Sequence, residues 1–141
     1  MRAVVQRVSR ARATPGGEIG AGLCVLLGVA AGDEPALAVR FAQKVAHLRV
    51  FPDEAGRFDR SLVDVGGEAL VVSQFTLLAD TARGKRPSFT RAARPEVAEP
   101  IYERFCGELE ALGPRVARGE FGARMQVELV NDGPVTIVLD A

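Results

Sequence analysis

Apolar residues fall in a few dense runs along this chain, and the spacing inside each run differs. "RAVVQRV" (2–8) predicts a first strand, and "LCVLLGV" (23–29), apolar throughout, predicts a central strand covered on both faces. Between them "SRARATPGGEIGAG" (9–22), rich in glycine and holding Pro15, predicts a short hairpin. The period then changes. Leu37, Phe41, Val45 and Leu48, with Ala38 and Ala42, share one face at helical spacing, which predicts a helix over 34–48 with Asp33 as its N-cap. "RVF" (49–51) begins an extended piece, "PDEAGRFDRSL" reads as a polar loop, and "EALVVSQF" (68–75) predicts a second buried strand.

A long stretch without periodicity, "ADTARGKRPSFTRAARP" (79–95), follows; loops of that length in a compact domain are usually functional. Val97, Ile101, Phe105, Leu109 and Leu112 predict a helix over about 96–112, stopped by Gly113-Pro114. Pro100 either confines its regular part to residues after about 98 or kinks its first turns. "MQVELVN" (125–131) and "PVTIVLD" (134–140) predict two closing strands joined by a turn at Asp132-Gly133. The reading is a single mixed α/β domain spanning 1–141, with more strand than helix, barrel-like β layers and two main helices.

Composition changes this picture little. The chain is 48% hydrophobic and 26% charged, within the range of an ordinary globular protein. Eighteen basic and eighteen acidic residues cancel. No global field marks the chain as a general duplex binder, although one RNA end needs only a local basic patch. The N-terminus has no apolar signal core and no stretch approaches a membrane span, so the expected compartment is the cytoplasm with no membrane partner.

Catalytic side chains are scarce. The one histidine, His47, lies opposite the apolar helix face and should be exposed, which leaves no place for a triad. Cys24 and Cys106 sit among apolar residues and read as buried thiols. Asp53, Glu54, Asp59, Asp64 and Glu68 fall in polar loops or at strand ends, read as solvated surface, and nothing pairs them as acid and base. Metal-ligand clusters are absent, so neither a metal nor a cofactor is expected. "GGEIGAG" precedes a strand where a dinucleotide fingerprint would open a helix, so it reads as a turn.

Two local features stand out against that scarcity. In "SQFTLLAD" (73–80), Ser73, Gln74 and Thr76 follow directly on a buried strand, a common position for a binding site. Hydroxyls that merely satisfy strand-end backbone would look the same. In "RGKRPSF" (83–89), Arg83, Lys85 and Arg86 stand beside an aromatic residue. That combination fits either a solvated loop or a clamp for phosphates at an RNA end.

Taken with "VNDGPVT", the motifs "VVSQFTLLAD" and "RPSF" occur in the order and at about the separations of the D-aminoacyl-tRNA deacylase family, which the chain resembles over essentially its whole length. "MRAVVQRVSRA", "SLVDVGGEALVVSQFTL", "IYERF" and "FGARMQVELVNDGPVT" carry the same likeness. The resemblance implies a homodimer with each active site at the subunit interface. There it would hydrolyse the ester between a D-amino acid, or glycine, and the terminal adenosine of tRNA. It further implies a cis Gly133-Pro134 bond that reaches into the neighbouring subunit's site as a chirality filter. Ser73, Gln74, Phe75 and Thr76 become the catalytic floor, Arg7 helps hold the Gly-Pro element, and Met125 lies near the pocket. Three features depart from the family pattern: a hairpin at 11–20 about four residues short, Arg124 where an acid is common, and Pro100 in the second helix.

The implied chemistry suits a chain so poor in catalytic groups. An aminoacyl ester is already activated, and each backbone N–H aimed at an oxyanion contributes about 2.7–4 kcal/mol elsewhere. The amides of Phe75 and Thr76 are the expected donors, with a neighbouring ribose 2′-OH positioning water. The rival mechanism makes Thr76 a nucleophile, which needs an activating base. Two rival functions stay open at this point. One is a non-catalytic tRNA-end-binding module. The other is a structural dimer, which predicts a trans Gly133-Pro134 bond and no pocket at that turn.

Overall fold

The computed structural model describes all residues, 1–141. One strand organises it. β1 (Arg2–Thr14) pairs antiparallel with β3 (Gly22–Gly28) and with β2 (Glu18–Ile19), and also with β8 (Gln126–Asp140) along nearly its whole length. β1 is therefore longer than the alternation in "RAVVQRV" predicts, because the hairpin segment continues it.

β6 (Glu68–Ser73) lies parallel to β3, and β7 (Arg115–Arg118) lies parallel to β6, giving the order β2-β1-β3-β6-β7 with β8 on β1. The hairpin end comes round to β7. Gly17 N–H donates to the Arg118 carbonyl at 2.9 Å, and the Arg115 guanidinium donates to the Glu18 carbonyl at 2.7 Å. The sheet is thereby nearly closed into a barrel, as the strand-rich α/β reading expected.

Helix α1 (Pro35–Ala46) buries Ala38, Phe41, Ala42, Val45 and Ala46, and α3 (Pro95–Ala111) buries Ala98, Ile101, Tyr102, Phe105, Cys106 and Leu109. The two helices meet at an edge-to-face contact between Phe41 and Phe105, 6.3 Å between ring centroids. Leu23, Leu27, Val25 and Val71 of the central strands, all 0% exposed, complete the main core. No helix is long and apolar enough to cross a membrane.

Several expectations are corrected. The N-cap of α1 is Glu34, not Asp33, whose carboxylate accepts from Ala30 N–H and pairs with the N-terminal ammonium at 2.9 Å. α3 starts at Pro95 and runs through Pro100, so Pro100 does not delay the helix. Val97 is exposed and Ala98 takes the buried position beside it.

The polar stretch after residue 51 is a small hairpin of β4 (Phe51–Pro52) and β5 (Phe58–Arg60), followed by a short helix α2 (Leu62–Val65). Two of its carboxylates hold local backbone, while Glu54 is solvated surface as expected. Asp53 accepts from the Arg57 and Ala55 amides, and Asp64 closes a capping box with Ser61; both sets of bonds hold these carboxyls below their usual range. Glu68 accepts from Gly20 N–H and pairs with Arg115.

The largest correction concerns "NDGPVT". It does not turn the chain between two strands. β8 is one strand of 15 residues that stays on β1 throughout, with Asn131 opposite Val8 and Thr136 opposite Gln6. Residues 132–135 stand opposite Arg7 alone, so the segment is an enlarged bulge. A proline lacking an N–H is tolerated there because β8 is an edge strand.

Candidate active site

The candidate site is built where β6 loses a neighbour. The β6–β7 ladder ends at Val71–Arg118. The Val71 carbonyl then accepts two bonds, from Gly119 N–H at 3.1 Å and from the buried Tyr102 hydroxyl at 2.8 Å. Beyond that point β7 departs while β6 continues beside β3 to the Leu27–Ser73 pair. The space left open is a cavity of about 570 Å³.

Val72, Ser73, Gln74 and Phe75 line this cavity from the strand end. Ala92, Ala93, Pro95 and Ala98 line it from the segment entering α3, and Phe121, Gly122, Ala123 and Met125 from the turn before β8. Gly119 secures the Met125 wall: a Cβ there would meet the Met125 sulfur at 2.6 Å. The long loop reaches the cavity through Phe89, whose ring meets that of exposed Phe75 edge to face at 5.1 Å.

No lining residue is titratable. The side-chain polar groups present are the Ser73 hydroxyl and the Gln74 amide. Beside the cavity stand two peptide N–H groups, that of the lining residue Phe75 and that of its neighbour Thr76. Phe75 and Thr76 open a 3-10 turn (Phe75–Leu78) whose first bond is Leu77 N–H to the Gln74 carbonyl and whose closing bond is Ala79 N–H to the Thr76 carbonyl. The amides of Phe75 and Thr76 precede that first closed turn and have no acceptor within it. Such a site can stabilise developing negative charge. It holds no group that could take a proton near neutral pH.

Of the four residues expected on the floor, Ser73, Gln74 and Phe75 line the cavity and Thr76 does not. Thr76 is exposed, and its hydroxyl accepts a hydrogen bond from the Gln74 side-chain amide. A neutral amide cannot activate a hydroxyl as a base does, which weakens the nucleophilic rival. Met125 lines the cavity. Phe121 and Ala123 were not singled out by sequence, although the Gly-containing "EFGARM" just before a strand marks a turn there.

Gly133, Pro134 and Arg7 lie elsewhere in the same chain, at the β8 bulge. The Gly133-Pro134 bond is cis, as is Thr14-Pro15. The largely buried Arg7 guanidinium donates to the Asp132 carbonyl and to the Val50 carbonyl, each at 2.7 Å, and stands 3.8 Å from the Asp132 carboxylate. The bulge folds so tightly that a Cβ on Gly133 would collide with the Val135 amide nitrogen. Gly133 and Pro134 are exposed and do not line the cavity of their own chain.

Arg83, Lys85 and Arg86 are exposed and do not line the cavity. His47 is exposed as expected. Cys24 and Cys106 are buried outside the cavity, and burial pushes both thiols up to about 11, which leaves them unreactive near neutrality.

Comparison with known proteins places this geometry in a family. A family model described as D-Tyr-tRNA(Tyr) deacylase matches residues 4–140. A protein of Roseiflexus sp. named D-aminoacyl-tRNA deacylase is 62% identical, the match covering 100% of this chain and 94% of that one. A Deinococcus radiodurans protein of the same name is 56% identical over 99% of both chains.

Among solved structures, one titled c-Myc DNA Unwinding Element Binding Protein superposes with a TM-score of 0.92 at 44% identity, covering 100% of this chain and 99% of that one. A probable eukaryotic D-amino acid tRNA deacylase shares the fold, with a TM-score of 0.85 at 17% identity and coverage of 99% and 98%. With a family model spanning nearly every residue and such identities over the full length, the chain belongs to the D-Tyr-tRNA(Tyr) deacylase family.

Proposed function

We propose that this protein hydrolyses the ester of D-aminoacyl-tRNA, and of glycyl-tRNA, releasing free tRNA and the amino acid. The observation that carries the mechanism is a cavity without a titratable side chain, beside two peptide N–H groups at the head of a 3-10 turn. The carbonyl of the ester sits toward the Phe75 and Thr76 amides, which hold the oxyanion as water adds. The ribose 2′-OH beside the ester positions that water. The activated ester needs no side-chain base, and none is supplied.

Chirality is read by Gly133-Pro134 of a second copy. Support for an intermolecular role is the position of the bulge, on an edge strand whose residues 126–134 are all exposed, including Val127, Leu129 and Val130. A long strand edge of that kind, carrying exposed apolar residues, invites pairing with another chain, which supports a homodimer with each active site at the interface. Arg7 holds the bulge by its Asp132 carbonyl, leaving Gly133 and Pro134 to face outward. A backbone wedge near Cα excludes one side-chain direction and admits glycine, which has no side chain to exclude.

The test is release of amino acid from matched D- and L-aminoacyl-tRNA and from glycyl-tRNA, with wild type and Pro134→Ala. Turnover of the D and glycyl esters, but not the L ester, is the expected wild-type result, with discrimination or activity lost in the variant. Tight tRNA binding with no turnover of any ester would leave the protein a tRNA-end-binding module.

A further inference from the structure

β5 carries an aromatic residue that burial does not explain. Phe58 is 57% exposed, sits among the exposed charged residues Arg57, Asp59 and Arg60, and does not line the cavity. What it meets is the guanidinium of Arg7, whose central carbon stands over the ring at 6.0 Å from its centroid. A cation in that position is attracted by the negative face of the ring.

The same guanidinium joins two other parts of the chain. It donates to the Asp132 carbonyl in the β8 bulge and to the Val50 carbonyl just before β4, each at 2.7 Å. β4 and β5 form a two-stranded sheet separate from the main one. Arg7 therefore ties that small sheet to the bulge. Carbonyl oxygens accept over a broad range of directions, so two such bonds leave the guanidinium plane free to tilt. A ring over the guanidinium removes that freedom.

The ring is held from both directions along the chain. Before it, the Asp53 carboxylate accepts from the Ala55 and Arg57 amides, and Asp53 N–H donates to the Arg57 carbonyl at 2.8 Å. After it, the Arg49 guanidinium donates to the Asp59 carbonyl at 2.9 Å and pairs with the Asp59 carboxylate. These two clasps fix the backbone on either side of Phe58.

We propose that Phe58 is a positioning residue for the Gly133-Pro134 bulge and acts through Arg7. Its ring fixes the plane of the guanidinium, and the guanidinium fixes the Asp132 carbonyl from which the bulge departs. The proposal rests on the reading of the bulge as the chirality filter. It adds a residue, outside both the cavity and β8, that sets how sharply the filter discriminates.

The experiment compares full-length wild type with Phe58→Ala, Phe58→Leu and Phe58→Tyr. Leucine covers surface without a ring face, and tyrosine keeps the face. In the Ala and Leu variants the ratio of kcat/KM for a D-aminoacyl-tRNA over its L form should fall roughly 3-fold, the scale of one exposed cation–π contact. Phe58→Tyr should keep the wild-type ratio. Hydrogen exchange of the Arg7 Nε–H, followed by NMR, reports directly on the bond to the Asp132 carbonyl. It should quicken in the Ala and Leu variants and stay at the wild-type rate in Phe58→Tyr.

A Phe58→Leu variant with the wild-type ratio and the wild-type exchange rate would overturn the proposal, because any apolar cover would then serve. So would a loss of discrimination in all three variants that tracks a fall in melting temperature, which would make the ring a structural prop. If wild type itself does not separate D from L esters, yet Arg7 Nε–H exchange quickens in the Ala and Leu variants, the positioning stands and the filter reading falls.

Discussion

β6 and β8 are both strands that carry proposed site residues, yet they are built in opposite ways. β6 has six residues, is flanked on both sides by parallel partners, and buries Ala69, Leu70, Val71 and Val72 in succession. β8 has 15 residues, one partner, and nine consecutive exposed positions. The difference separates two demands. The amides proposed as oxyanion donors need a rigid base, and the strand that leads to them is locked on both sides as far as Val71, whose carbonyl is doubly bonded. An element proposed to serve another molecule must stand on a free edge, and β8 is tethered by β1 alone, through its ladder and through Arg2, Gln6, Arg7 and Arg12.

The comparison is broken most severely by Leu70→Ala. Leu70 is 0% exposed, and the truncation should cost about 2–5 kcal/mol in denaturant unfolding. Next comes Arg7→Ala, which leaves the Asp132 and Val50 carbonyls without their donor. About 1.5–3 kcal/mol of stability should be lost, together with discrimination between D and L esters, while binding of tRNA persists. A stable, fully selective variant would show that the bulge holds itself.

A smaller effect is expected at the free edge. Val127→Ser and Val130→Ser should change the folded stability of one chain by no more than about 0.5 kcal/mol, yet weaken self-association in sedimentation. Unchanged association would remove the edge as the dimer contact.

The smallest effect is on pH. Each buried thiol has its value raised from 9.0 to about 11, so the folded state keeps a proton that the unfolded chain has released. Their contribution is whole below about pH 9 and is lost as pH climbs through about 11, and Cys24→Ala/Cys106→Ala should flatten that decline in unfolding curves.

The sequence made the locked half legible and misread part of the free half. Runs such as "LCVLLGV" and "ALVV" announce strands buried on both faces, and the helix faces around Phe41 and Phe105 follow from spacing alone. "NDGP" reads as a hairpin because turn residues and bulge residues are the same residues. What decides between them is pairing with β1, more than a hundred positions away. β7 was missed because "RVAR" is short and half charged, and only its neighbour β6 makes it a strand. The cavity residues on the "SQF" strand end were visible as polar groups after an apolar run. The walls contributed by Ala92 and Phe121 carry no chemistry of their own and come together only in the fold.

The absence of titratable groups from the cavity has a practical side. Electrophilic warheads that trap hydrolases need an activated nucleophile, and here the hydroxyl of Ser73 has no base beside it in the cavity. Inhibitors of this protein would have to compete by shape and by peptide-directed hydrogen bonds. Resistance would then arise by reshaping the alanine- and glycine-lined walls, because no single side chain could be exchanged to delete the reactive group.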